Sequence, residues 1–159
     1  MRNRRTVTAE AGHQTIAFMR EFEAPAARVF EAHTDAGLIA QWIGPRGTTL
    51  RMRQFDPRTG GSWSYVIAGK GGEWAFHGSF HEVSAPRRIV QTFEFEGNPE
   101  HANMEFLTFA DLEHGRSRID GLSVFASAQE RDAMLADMDS GMDENFDRLD
   151  ELLAAVPMA

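Results

Sequence analysis

The stretch from Ser127 to Val156 constrains this chain more than any other. Met134, Leu135, Met138, Met142, Phe146, Leu149, Leu152, Leu153 and Val156 recur at steps of three and four, which is one stripe of a 3.6-residue period. At its head, Ser127-Ala128-Gln129-Glu130 has the form of a capping box, in which the serine hydroxyl accepts from the backbone N–H three residues on while the glutamate reaches back. Pro157 stops the pattern. The spacing predicts a helix over 128–155, which at 1.5 Å per residue spans roughly 42 Å. That is longer than a small domain is wide, so the helix must lie along something extended, and a sheet is the natural partner.

The other side of the stretch carries Glu130, Asp132, Asp137, Asp139, Asp143, Glu144, Asp147, Asp150 and Glu151 against Arg131 and Arg148. Nearly all of the chain's net charge of −8 therefore sits on this one element, as an outward, solvated face. Three methionines occupy the first half of the stripe, and Gly141 interrupts it at a cost of about 1 kcal/mol relative to alanine. Two readings stand side by side. The methionines fill an irregular core and the glycine admits a bulky neighbour, or the segment is a pliable wall beside a cavity.

At 159 residues the chain is expected to form one domain, residues 13–157, behind a flexible tail over 1–12 that holds Arg2, Arg4 and Arg5. The absence of cysteine excludes a disulfide framework, thiol catalysis and thiolate metal sites. No segment approaches about 18 uninterrupted apolar residues, so a soluble, cytoplasmic protein with no membrane partner is expected. The acidic balance argues against nucleic acid, whose phosphates need a basic surface.

Ahead of the long helix the pattern changes twice. Residues 13–22 alternate Ile16, Phe18 and Phe22 against Ala17, Met19 and Glu21, as a strand does. Pro25 then opens a short helix with Val29, Phe30 and His33 on one side, and Thr34-Asp35 caps a second over 36–42 that Gly44-Pro45 ends. From there to Phe125 six more strands are predicted, over 48–55, 62–67, 73–83, 88–95, 103–112 and 116–125, with turn chemistry short enough to join antiparallel neighbours. The expected architecture is α+β: a curved antiparallel seven-stranded sheet wrapped around the C-terminal helix, with two short helices after strand 1.

Several of these segments also resemble a known family. They are Phe22-Glu23-Ala24-Pro25 with Val29-Phe30, then Gln41-Trp42-Ile43-Gly44-Pro45, Gly60-Gly61-Ser62-Trp63, residues 78–83, residues 86–90, and Gly141-Met142 before Phe146-Asp147-Arg148-Leu149. In that order and spacing the chain is similar to the START-like SRPBCC superfamily, in its branch related to the activator of the heat-shock ATPase (Aha-like). It departs from the branch at Ile43, where a second tryptophan is common. The resemblance implies a bacterial-type helix-grip fold whose sheet and helix enclose an apolar cavity. It covers lipid and hormone carriers and polyketide cyclases alike, so fold alone does not give function.

Strand alternation sets Trp63, Tyr65 and Ile67 on one face, with Trp74, Phe76 and Phe80 and then Ile89, Phe93 and Phe95 on matching faces, all toward the helix. A filled core is one fate for them. Gly78 lies among them opposite Gly141, and two missing side chains on opposed walls point to a void. The candidate ligand-binding residues are Trp63, Tyr65, Trp74, Phe76, Gly78, Phe93, Met138, Gly141 and Met142. No metal or cofactor site is expected: His77 and His81 stand about 13 Å apart along a strand, too far for one ion, and on the outer face. His13, His33, His101 and His114 read as surface residues by default. Among Glu82, Glu94, Asp120, Arg118 and Tyr65 no catalytic pair or triad forms. The leading expectation is non-enzymatic binding of a small apolar molecule, by a monomer or homodimer. The alternatives are a protein-interaction module touching a heat-shock chaperone, as the resemblance implies, and a cyclase or hydrolase that uses Tyr65 with a buried carboxylate.

Overall fold

The computed structural model describes residues 3–155, and of Ala136, Asp139 and Ser140 the backbone alone. The expected end of the apolar stripe at Val156, the stop at Pro157 and the first tail arginine, Arg2, lie outside the described residues. In chain order the elements are β1 (Arg5–Thr8), β2 (Thr15–Phe22), α1 (Ala26–Thr34), α2 (Ala36–Ile39), β3 (Thr49–Phe55), β4 (Ser62–Gly69), β5 (Gly72–Ser84), β6 (Arg88–Phe95), β7 (Asn103–Asp111), β8 (Ser117–Val124) and α3 (Ala128–Ala155). The strands form one antiparallel sheet in the order β1-β2-β8-β7-β6-β5-β4-β3, and α3 lies across its inner face.

The sheet has eight strands rather than the seven expected. Residues 5–8, read from sequence as tail, pair with β2 in the register Arg5↔Arg20 to Thr8↔Ala17. A four-residue segment with one apolar side chain carries almost no periodic signal. Its order comes from tertiary partners: Val7 packs on the core, and the Arg5 guanidinium grips the Asp143 carboxylate of α3 at 2.6 and 3.0 Å.

Two β-bulges shape the other edge. Extra residues at Arg53 in β3 and His81 in β5 shift the pairing register. Inward side chains therefore change phase, from Leu50 and Met52 to Phe55 in β3 and from Phe76 and Phe80 to Val83 in β5. Such bulges bend and twist a sheet locally, which helps these strands wrap toward the helix.

The short helices plug one end. Pro25 is the N-cap of α1 at φ −66°, and the Ala26 N–H donates to the Asp111 side chain at 2.9 Å. Asp35 caps α2 by accepting from the Leu38 N–H at 3.0 Å. α2 stops at Ile39, short of the expected Trp42, and turns instead. The Trp42 indole N–H donates to the Ala32 carbonyl at 3.0 Å, which draws this residue into the core beneath α1.

The start of α3 is capped as expected on one side only. Ser127 Oγ accepts the Glu130 N–H at 3.1 Å, whereas the Glu130 carboxylate pairs with His101 in the β6–β7 loop. Arg131, buried, donates to the carbonyls of Thr15 and Glu10 at 3.0 and 2.8 Å. Farther along, Phe146 packs among Phe18, Phe22 and Trp42, and Leu149 is fully buried. The acidic side is not simply solvated. Buried Arg20 of β2 forks onto Asp150 at 2.6 and 3.1 Å and reaches Asp147 at 3.4 Å, while Arg46 meets Glu151 at 2.8 Å and gives its backbone N–H to Glu144. The helix lies over arginines that sequence periodicity along a single element does not reveal.

Candidate functional site

The second half of α3 is packed solid against β2, α1 and Trp42, but the first half is not. Between Met134–Met142 and the inner face of the sheet lies a hollow of about 1030 Å³. One wall is a run of touching aromatic rings. Trp63 stacks on Tyr65 with centroids 5.1 Å apart and meets Phe93 at 5.7 Å, and Phe76 contacts Tyr65, Phe93 and Phe95 at 5.7, 5.4 and 5.2 Å. The facing wall is Met134, Met138, Gly141 and Met142 of α3. Trp74, 37% exposed, stands at the rim with His101 and Glu130.

Of the nine residues singled out from sequence, Trp63, Tyr65, Trp74, Phe76, Phe93, Met138, Gly141 and Met142 border this hollow. Gly78 does not, and the expectation that it leaves space is corrected. A Cβ there would lie 2.0 Å from the Thr92 carbonyl oxygen and 2.6 Å from the Trp63 indole nitrogen. The missing side chain is the seat of the tryptophan. Gly141 is the opposite case, with nothing within 4 Å of where its Cβ would be.

Polar groups enter the hollow at few places. Across the sheet, Phe80 of β5, Gln91 of β6, Glu105 of β7 and Ser123 of β8 are successive partners in one row. Gln91 Nε2 donates to Glu105 Oε1 at 2.9 Å. Burial pushes the Glu105 carboxyl above its ordinary range, against the opposing effect of that hydrogen bond. Burial also raises the Tyr65 phenol, and the charge of Glu105 adds to the effect. On α1, His33 Nδ1 donates to the Val29 carbonyl at 2.7 Å while its ring packs edge-on against Trp42 and Phe109. Burial lowers its pKa to about 4, so the ring is neutral at pH 7 and its Nε2 carries a lone pair.

Sequence reasoning missed Glu105 and His33. In Asn103-Met104-Glu105-Phe106-Leu107 the face of Met104 and Phe106 is the more apolar, so alternation points the wrong side of the strand inward. Counting back in twos from buried Phe109 would have placed Glu105 inside. The carboxylates that were considered lie on the outer surface: Glu82 with Ser84 and Arg88, Glu94 near His77, and Asp120 with Arg118. Outer His77 also meets Glu96 at 3.0 Å, and among the described residues no group of three or more His, Asp or Glu is arranged to hold a metal ion.

A long helix gripped by a curved antiparallel sheet, with a hollow held between them, defines a helix-grip protein of the START-like SRPBCC class. Within that class, the sequence model for the family described as Activator of Hsp90 ATPase homolog 1-like protein matches residues 23–154, and the chain belongs to that family. Solved bacterial structures share the fold. A Rhodobacter sphaeroides protein superposes with a TM-score of 0.85 at 24% identity, covering 96% of this chain and 100% of its own. One from Mycobacterium smegmatis gives 0.83 at 22%, covering 96% and 98%, and one from Chromobacterium violaceum 0.75 at 26%, covering 87% and 96%. No curated protein sequence matches the chain.

Proposed function

We propose that this protein binds a small, largely apolar molecule in the hollow between the sheet and the first half of α3, without transforming it. The observation that carries this is the hollow itself: about 1030 Å³, walled by stacked aromatics on one side and methionines on the other. Its volume lies just above the roughly 300–1,000 Å³ of most small-molecule sites, and polar groups such as Gln91 and Glu105 among its apolar walls are the kind that orient a guest. Methionine side chains let such a wall adjust to its occupant.

Uptake of Nile red, a neutral apolar dye, tests the reading. The wild type is expected to take up the dye saturably and to melt at a higher temperature with it, because a ligand of the native state stabilises that state. Met138→Trp, which places an indole in the hollow, is expected to fold and to lose uptake. A wild type that takes up no dye would overturn the reading. Weight would then move to a protein-interaction module, which the family's description favours. Against that second reading, Arg5, Arg20 and Arg46 already occupy much of the acidic side of α3.

A further inference from the structure

The charge of the hollow's lining is one-sided. Glu105, Glu130, Asp137 and Glu144 border it, and among the described residues no lysine or arginine does. The arginines of α3 and Arg46 of the α2–β3 loop are turned elsewhere: Arg131 donates to the carbonyls of Thr15 and Glu10, Arg148 to those of Gly44 and Gln41, and the Arg46 guanidinium is held by Glu151. His101 at the rim is paired with Glu130, and His33 is neutral. Deep inside, Glu105 offers its Oε2 with no hydrogen-bond partner among the described residues, Gln91 taking only Oε1. Tyr65, Phe76 and Phe93 line the same hollow, the Tyr65 phenol close enough to feel the Glu105 charge, and the negative face of an aromatic ring attracts cations. A carboxyl with no cationic partner beside aromatic faces is the chemistry of an ammonium-binding box.

We propose that the hollow selects lipophilic amines, apolar molecules with a cationic ammonium head, over carboxylates and alcohols of the same length, with Glu105 as the group that recognises the head. This rests on the reading of the hollow as a ligand site. The ammonium donates to the free Glu105 oxygen and lies against the rings, while its alkyl chain runs along Met134 and Met138. A carboxylate guest meets four acidic side chains and, among the described residues, no lysine or arginine, so this lining disfavours fatty-acid anions.

The test is displacement of bound Nile red at pH 7 by n-octylamine, octanoate and 1-octanol, in about 0.15 M salt so that attraction to the protein's general negative charge is screened. Octylamine is expected to displace the dye at roughly tenfold lower concentration than octanol, with octanoate weakest. Glu105→Gln, its fold checked by circular dichroism, is expected to bring octylamine to within about twofold of octanol. Equal displacement by all three, or octanoate strongest, would overturn the amine proposal while leaving the carrier reading standing. An amine preference that survives Glu105→Gln would overturn the role of Glu105. Failure of the wild type to take up Nile red would overturn both proposals. Should the variant not fold, the ranking of the three compounds on the wild type still decides whether the hollow prefers amines.

Discussion

The two halves of α3 carry the same stripe at the same period and have opposite surroundings. From Phe146 to Leu153 the stripe meets side chains: Phe146 sits among three aromatic rings, Leu149 is sealed, and Arg20 reaches up from β2 to fork onto Asp150. From Met134 to Met142 it borders the hollow. Periodicity reports which side of a helix turns inward. It does not report whether anything is there to be met, because that depends on residues of β2, α1 and β4–β7 distant in sequence.

The largest expected effect is at the filled half. Leu149→Ala should cost about 2–5 kcal/mol, a full truncation in a packed core, whereas Met138→Ala, bordering empty volume, should cost about 1 kcal/mol or less. Denaturant melts of the two variants check this, and equal losses would mean that the halves do not differ.

Next comes the boundary between the halves, where His33 sits with Trp42 and Phe109 on one side and the hollow on the other. Its pKa of about 4 in the folded chain lies below the ordinary 6.5 of a histidine, so the unfolded chain binds a proton that the folded one refuses. Stability from this group is complete above pH 6.5 and is lost as pH falls from 6.5 toward 4, by up to about 3 kcal/mol. Glu96 and Glu151, whose carboxyls their arginine partners hold below the usual range, contribute their own loss only below about pH 4.5. Melts of the wild type and His33→Gln across pH 4–7 should show a slope that the variant lacks. A wild type with a flat profile there would mean that water reaches the imidazole, and so that the filled half ends before α1.

The smallest expected effects come from a pair of glycines. Gly78→Ala should destabilise by about 1–3 kcal/mol, because the added carbon meets backbone and the Trp63 ring. Gly141→Ala has free space and should gain up to about 1 kcal/mol from helix propensity. Thermal melts with shifts of the same sign at both positions would contradict the contrast.

Those glycines also show where the sequence was readable and where it was not. In sequence each is a gap in an apolar pattern, and nothing local separates one filled by the tryptophan paired opposite it on the neighbouring strand from one left open. The element order was legible because it rests on local signals: the Asp35 and Ser127 caps, the turn residues between strands, and the 28 residues of α3 bounded as the stripe predicted. β1 was not, since its order depends on Asp143 and on pairing with β2. The aromatic wall followed from parity along β4 to β6. Glu105 escaped because Met104 and Phe106 make the outer face of β7 beside it more apolar than the inner face of Asn103, Glu105 and Leu107.

The bulges at Arg53 and His81 bear on how this chain is matched, residue to residue, with its relatives. At 22–24% identity a gap placed one position early or late in β5 is hard to see, yet it exchanges every lumen position for an outside one between the two placements. Equating His81 with a lining residue, or Phe80 with a solvent-facing one, would transfer a binding role to the wrong side of the wall. Comparing the lining of the hollow across this family therefore requires superposed backbones rather than aligned strings, at least for the strands that carry an extra residue.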